Sequence, residues 1–349
     1  MKKYLLPGIV YCLLLTLLPA LPSLAMQRTT SEPADMQEES AKMPEFVEFT
    51  MPPTEQEIVA EPSSTTVYYP VLDTQTGEVM QIPVRDYVIG AVCAEMPASF
   101  EPEALKAQAV AAHTYAHRIA LHAESHPDKS LKGAYFSDDP NKYQAFYTNE
   151  EIRACYGSDY DLYYTKVADA VDAVLPEILT YEDAPIVAAF HAMSSGRTES
   201  AEHVWGTPTA YLMPVDSTGD CKAPRYEQSV EFSREEVQKR LKGAGKALTL
   251  PKDAQDWFSD EKLSESGTVL RISVGDATFT GQEVRSLFSL RSAAFSVKYA
   301  DGTFTFTTRG YGHNVGMSQY GANAMAKEGK SYREILSYYY TGTEITEAA

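Results

Sequence analysis

The stretch Val92–His117 constrains the fold more than any other part of the chain, because two helical patterns meet in it across a proline. Upstream, Tyr87, Val88, Ala91 and Val92 recur at helical spacing, and Pro97 disfavours helix at the residue before it, so the first helix ends near Glu95. A second helix is expected from about Pro102 to Ala123, with Leu105, Ala109, Ala112, Ala116 and Ile119 as its core face. Lys106, His113 and His117 fall on another face, at spacings of seven and four, and are expected to look into a cleft beside Glu95. Glu95 is thereby set apart from every other carboxylate. Apolar residues precede it, Met96-Pro97 follows it, and the C-terminal end of a helix carries roughly half a negative charge. Both conditions disfavour a second anion and predict a carboxylic acid held protonated near neutral pH, the state a general acid needs. The competing reading is a solvated glutamate at a turn.

The chain of 349 residues is 44% hydrophobic and 11% aromatic, ample for one large core or two. Its formal net charge of −18 and the lack of a basic stripe exclude a nucleic-acid partner. Lys2 and Lys3 precede an apolar run, Tyr4–Ala25, that reads as a targeting segment ending in Ser23-Leu24-Ala25. About 20 apolar residues also suffice to span a bilayer, so a retained anchor and a cleaved leader both remain open; either exports the protein. From 26 to 64 the composition, rich in Glu, Pro, Ser and Thr without periodicity, predicts an acidic flexible tether. Cys93, Cys155 and Cys221 allow one disulfide, and no CxxC pair points to a structural metal.

The folded part is expected over 65–349. Val67–Leu72 and Val79–Ile82 form a hairpin around Asp73–Gly77. Ile186–His191 reads as a buried strand, Glu199–Trp205 as a short helix, and Ser233-Arg234-Glu235-Glu236 as a capping box opening a helix to about Leu241. Phe295–Tyr299 and Thr303–Thr307 alternate about Asp301-Gly302, a hairpin signal. The segment Arg309–Gly321 follows, with four glycines that let the backbone approach something closely, and a tyrosine-rich helix, Tyr332–Tyr340, closes the chain. There is no internal repeat.

Three blocks, AEMPASFEPEALKAQAVAAHTYA (Ala94–Ala116), HAMSSGRTESAEHVWG with YLMPVDSTGD (His191–Gly206 and Tyr211–Asp220), and RGYGHNVGMSQYGANAMAKEG (Arg309–Gly329), are similar in sequence and order to the stage II sporulation protein D, or SpoIID/LytB, family. The resemblance spans about 280 residues. It implies a membrane-anchored lytic transglycosylase of peptidoglycan that cuts glycan strands during engulfment of the forespore. Its implied partners are a stage II sporulation protein P-like amidase and other membrane engulfment proteins.

The residue chemistry agrees. A lytic transglycosylase breaks the bond between N-acetylmuramic acid and N-acetylglucosamine without water, by closing the muramic C6 hydroxyl onto C1. One carboxyl group can protonate the leaving oxygen and then take the C6 proton, whereas an ordinary glycosidase needs a second carboxylate. Glu95 fits this scheme and matches the family's catalytic glutamate. Lys106 and Gln108 fall on family positions as glycan-binding candidates, with Lys106 also placed to tune Glu95, and each has a surface-helix reading beside it. His191, Ser194, Ser195, Glu199, His313, Ser318 and Gln319, within the blocks, are expected to shape the glycan cleft, and Tyr211 and Tyr311 to stack on sugar faces. His191 with Ser194 or Ser195 superficially suggests a serine nucleophile, but no Gly-x-Ser-x-Gly elbow is present.

Two departures from the family matter. His113 stands where the family has arginine, which makes a permanent charge pH-dependent. Some members carry a His/Cys/Cys zinc site in a run ending Cys-Gln-Ala-Tyr; the matching run here is Tyr143-Gln144-Ala145-Phe146, so neither a metal nor a cofactor is expected. His113 and His117 are a rival metal pair, but Thr114 replaces the glutamate of the zinc-protease motif. The expected architecture is α+β, a single compact domain of helices packed on mixed or antiparallel strands behind the N-terminal membrane segment (1–25) and acidic tether (26–64), with 227–290 as a candidate sub-lobe. A non-catalytic, peptidoglycan-binding amidase enhancer is the alternative function, and His113 beside an intact Glu95 is the feature that separates the two.

Overall fold

The computed structural model describes residues 67–348; the targeting segment and tether expected over 1–25 and 26–64 lie outside them. Among the described residues no helix is long and apolar enough to cross a membrane. The chain opens with the hairpin of β1 (Tyr68–Leu72) and β2 (Val79–Pro83). Asp73 closes its turn by accepting hydrogen bonds from the Gln75 and Thr76 N–H groups. Helix α1 (Val84–Glu95) follows directly. It stops where expected: Met96, ahead of Pro97, adopts extended backbone. A turn closed by Phe100 N–H on the Pro97 carbonyl leads into α2 (Pro102–Ser125), which has proline in its first turn.

Helix α2 is the axis of the main core. Eight of its 24 residues are alanine, so neighbours can pack close on every side. Around it lie α1, α4 (Tyr160–Asp172), β4 (Glu177–Tyr181), α8 (Gln319–Lys327) and α9 (Tyr332–Tyr339). Strand β3 (Phe136–Ser137) joins β1 in parallel, and the capping box of Thr148 and Glu151 opens α3 (Asn149–Tyr156). Strand β4 is the centre of a small antiparallel sheet between β5 (Ala184–Pro185) and the C-terminal β14 (Glu344–Glu347).

The buried strand expected over Ile186–His191 is a different object. Residues 186–189 are buried, but Ala189 N–H bonds back to the Val187 carbonyl and breaks the extended run, leaving β6 (Phe190–His191). That strand pairs in parallel with β13 (Met317–Ser318). The short helix α5 (Ala201–Trp205) is capped by the Ser200 hydroxyl.

A second hydrophobic cluster, separate from the first, is built from β7 (Glu227–Ser233), α6 (Arg234–Lys242), β8 (Phe258–Leu263), β9 (Val269–Val274), β10 (Ala277–Phe279), α7 (Gly281–Phe288), β11 (Phe295–Ala300) and β12 (Thr303–Arg309). The capping box at Ser233 and Glu236 is formed, and Asp301-Gly302 turn the β11–β12 hairpin with φ of 50° and 85°. Phe288 stacks on Phe306 at 4.6 Å and Trp257 on Phe304 at 5.3 Å. The region 227–290 does not close on itself, because β7 takes β12 as its partner and the cluster therefore extends to Phe306. The architecture is α+β with several small sheets.

Gly316 fixes the approach of the C-terminal block to β6. It has φ +71°, and a Cβ there would lie 2.0 Å from the Ala189 carbonyl oxygen. Gly316→Ala is expected to cost about 2–4 kcal/mol in chemical denaturation, combining the left-handed backbone with the clash. Gly302→Ala, at φ +85° but in open space, should cost about 1 kcal/mol. Equal losses would show that the close packing is unimportant.

Candidate active site

The carboxyl of Glu95 ends α1 against the loop before α3 and the start of α8. Its Oε1 accepts the Ala145 N–H at 3.3 Å, and the Gln319 side chain also hydrogen-bonds to it. Desolvation pushes its pKa up to about 7, against the opposing pull of those two hydrogen bonds. The upward direction expected from the sequence agrees with this, with burial as the principal cause. Gln319 Nε2 also donates to Gln108 Oε1 at 3.4 Å, joining α8 to α2 beside the carboxyl. The buried Gln108 Nε2 has no protein partner among the described residues.

Ala145 was not foreseen as a site residue. It lies in the run Tyr143–Phe146, which the sequence singles out only for its lack of the family's zinc-binding cysteine. Gln144 pins this run by donating to Tyr87 Oη and the Ala112 carbonyl, both at 3.1 Å. Gly90 permits the approach of Tyr147, whose N–H bonds the Gly90 carbonyl at 3.1 Å. An alanine contributing its backbone N–H leaves no mark in side-chain chemistry, so no residue-type signal could have found it.

Lys106 and His113 are not beside Glu95. At about 100° per residue, Tyr115 falls within about 20° of Gln108, while Lys106, His113 and His117 lie about 140–180° away, on the opposite face of α2. Lys106 pairs with Glu103 at 2.7 Å and lies 5.9 Å from the Tyr332 ring, where α9 docks. His113 is buried, and its Nδ1–H donates to the Glu177 carbonyl in β4 at 3.1 Å. Burial pushes its pKa down to about 4, so it stays neutral through the physiological range. The expected polar wall beside Glu95 is therefore a structural face. It was misplaced because a helix flanked by five elements offers little solvent face against which to orient it.

The serines of the motif blocks are also structural. Asp220, fully buried, accepts from Ser194 N–H at 2.9 Å, Ser194 Oγ at 2.5 Å and Ser318 Oγ at 2.7 Å. Ser217 adds a further bond, and desolvation still raises the Asp220 pKa. Ser194 and Ser318 are themselves buried, so they hold Asp220 rather than face a cleft. Ser318 also caps α8 through the Gly321 N–H. Ser195 Oγ donates to the Ser266 carbonyl at 2.7 Å, tying the block to the second cluster. Glu199 is buried with Oε1 on Ser200 N–H and His203, while Oε2 accepts from Ser264 at 2.5 Å, so its oxygens are occupied. Tyr211 accepts the Val187 N–H at 3.0 Å and packs on Tyr181, which fixes it in the wall of the main core.

His191 and His313 do come together, with rings 5.5 Å apart, and the Trp205 ring lies 5.2 Å from that of His313. His191 Nδ1–H donates to the Val315 carbonyl at 3.1 Å, which leaves Nε2 as an acceptor without a protein partner among the described residues. Its pKa is pushed down to about 4 by burial. Since His191 pairs with Ser318 across the parallel strands, it lies one residue along from Gln319. Tyr311 remains exposed. Cys93, buried, and Cys221, exposed, are free thiols, so neither takes part in the one disulfide that the cysteine count allowed.

The fold and this arrangement define an α+β protein in which the Glu95 carboxyl, raised toward neutrality by desolvation, sits where α1, the loop before α3 and α8 meet. The sequence profile of the SpoIID family, described as stage II sporulation protein, matches residues 72–181. The stage II sporulation protein D of Bacillus subtilis (strain 168) is 36% identical over 348 residues, covering 100% of this chain and 97% of that protein. That of Bacillus amyloliquefaciens is 40% identical over 293 residues, covering 83% and 82% respectively. An amidase enhancer of Bacillus subtilis (strain 168) is 27% identical over 310 residues, 74% of this chain and 40% of that protein. The chain belongs to the stage II sporulation protein D family.

Two outcomes follow from the structural roles. Asp220→Ala strands the Ser194 and Ser318 donors, and is expected to lower stability by about 2–4 kcal/mol in urea unfolding; a loss under about 0.5 kcal/mol would show that the network is dispensable. His113 has a folded pKa below its unfolded value of 6.5, so protonation favours the unfolded chain and stability is lost as pH falls from about 6.5 toward 4. His113→Gln should shrink the stability difference between pH 7 and pH 4.5 by about 2–3 kcal/mol. A variant as acid-sensitive as the parent would contradict this.

Proposed function

We propose that this protein is a lytic transglycosylase of peptidoglycan, with Glu95 as its single general acid and base. The observation that carries the reading is the desolvated Glu95 carboxyl, with a pKa about 7 and hydrogen bonds from Ala145 and Gln319. Near neutrality both protonation states are within reach. The protonated acid gives its proton to the glycosidic oxygen as the bond to C1 breaks. The resulting carboxylate takes the proton of the muramic C6 hydroxyl as that oxygen closes onto C1, yielding the 1,6-anhydro product and restoring the acid. No water is consumed. The apolar run Tyr4–Ala25 would anchor or export the domain, the acidic stretch 26–64 would give it reach toward the wall, and an amidase of the stage II sporulation protein P type would be its partner.

Digestion of purified glycan strands, read by mass spectrometry for 1,6-anhydro ends, tests this. Glu95→Gln is expected to reduce product formation by about 10² to 10⁴-fold with glycan binding and folding retained. In the parent, kcat/KM should fall as pH rises through about 7, because the free enzyme must begin with the acid protonated. Full activity in Glu95→Gln would sink the assignment. The amidase-enhancer relative favours a second reading, a glycan-binding protein that stimulates an amidase. Under that reading the parent releases no anhydro ends and Glu95→Gln still enhances amidase action.

A further inference from the structure

In a chain of formal net charge −18, Arg225 and Arg291 lie together, and neither forms an ion pair with an acidic side chain among the described residues. Arg291 Nη1 donates to the Arg225 carbonyl at 2.6 Å and to Gln228 Oε1 at 3.0 Å. Its Nε and Nη2 have no hydrogen-bond partner among the described residues. Glu227, the acid nearest in sequence to Arg225, is taken by Arg309 at 3.2 Å. The Arg291 guanidinium lies 4.5 Å from the centroid of Tyr311, a ring that is 39% exposed. Such stacking holds the planar fork in one orientation with its outer donors free.

A series of contacts links this cationic patch to the Glu95 site. Gly312 N–H bonds the Arg291 carbonyl at 3.0 Å, and Gly312 itself packs against His191. Tyr320, whose ring meets Phe100 at 5.0 Å, lies in the positive field of both guanidiniums and immediately follows Gln319, which bonds Glu95.

We propose that Arg291 and Arg225, with Tyr311 as the stacking platform, form a carboxylate-binding subsite contiguous with the Glu95 cleft that engages the lactyl carboxylate of N-acetylmuramic acid. The proposal rests on the glycan-strand reading above. The two sugars of the strand differ by the lactyl ether on the muramic unit, whose carboxylate is the charged group of a strand without peptides. A guanidinium fork matches a carboxylate in two hydrogen bonds, and a neutral sugar offers it nothing equivalent. An amide-linked stem peptide removes that charge and moves the nearest carboxylates further out. The subsite would thus set which sugar occupies which side of Glu95.

The test is isothermal titration of the full chain carrying Glu95→Gln, so that no ligand is consumed, with peptide-free glycan strands, peptide-bearing strands and neutral chito-oligosaccharides. Peptide-free strands are expected to bind tightest. Arg291→Gln should weaken them about 10- to 100-fold and leave the chito-oligosaccharides unchanged. Arg225→Gln should act in the same direction, and since the Arg225 side chain makes no hydrogen bond among the described residues, a folding defect is not expected there. Arg291→Lys, keeping the charge without the fork, should recover part of the loss. Equal weakening of charged and neutral ligands would overturn the proposal and leave Arg291 as a support of the cleft wall. Peptide-bearing strands bound as tightly, with the same dependence on Arg291, would overturn the lactyl assignment in favour of stem-peptide carboxylates. If the parent binds peptide-free strands through Arg291 but releases no anhydro ends, the proposed reaction falls and the subsite stands.

Discussion

Everything around the candidate site depends on a helix that has almost no solvent face. Helix α2 is flanked by α1, α4, α8, α9 and β4, and its alanines let these elements close in to backbone distance. A helix so enclosed must have its polar groups satisfied by its neighbours, since an unpaired buried donor or acceptor costs about 1–3 kcal/mol. Thr114 Oγ accepts the Leu179 N–H at 2.9 Å, His113 donates to Glu177, the Ala112 carbonyl takes Gln144 and Gln108 takes Gln319. The first two fix β4 in register against α2, and the others fix the Gln144 run and α8. The last two bring the Gln144–Ala145 run and the head of α8 to Glu95.

What the sequence made legible is the part set by local rules. Pro97 ended a helix at Glu95, the Ser233 box opened one, Asp301-Gly302 turned a hairpin, and burial at a helix end predicted a raised carboxyl pKa. These features need only neighbouring residues and periodicity. The polar face of α2 failed for a complementary reason: Lys106, His113 and His117 do share one face, but periodicity says only that they lie together and cannot say which partner they meet. That is decided by β4 and α9, which come from residues 177–181 and 332–339. Ala145 was invisible because its contribution is a backbone N–H.

The motif serines teach a related point. Ser194 and Ser318, 124 residues apart in sequence, share the carboxylate of Asp220, so residues that look like reactive or sugar-binding hydroxyls are the ties that hold two blocks together. A buried carboxylate is costly to desolvate and is tolerated when several donors converge on it. Those donors come from the loop after β6, from Ser217 and from the end of β13. The same requirement that keeps Asp220 buried therefore holds His191 next to Ser318, and so brings the His191–His313 pair to the neighbourhood of Gln319.

Asp220 is fully buried and Glu95 partly so; desolvation raises the pKa of both, and the difference between them lies in what answers it. Asp220 receives donors on both oxygens, at 2.5–2.9 Å, from two serine side chains and a backbone N–H. Glu95 receives the Ala145 N–H at a long 3.3 Å and an amide from Gln319 that is also bound to Gln108. The first arrangement consumes the hydrogen-bonding capacity of the carboxyl; the second leaves much of it unspent, and burial outweighs the donors to bring the pKa to about 7. A group meant to give a proton and then recover one needs that balance, because a deeper apolar pocket would hold the proton and a fuller set of donors would prevent its uptake. The balance is struck by residues from three distant parts of the chain, each anchored through α2, so changes that loosen the packing of α2 reach the acid without touching it.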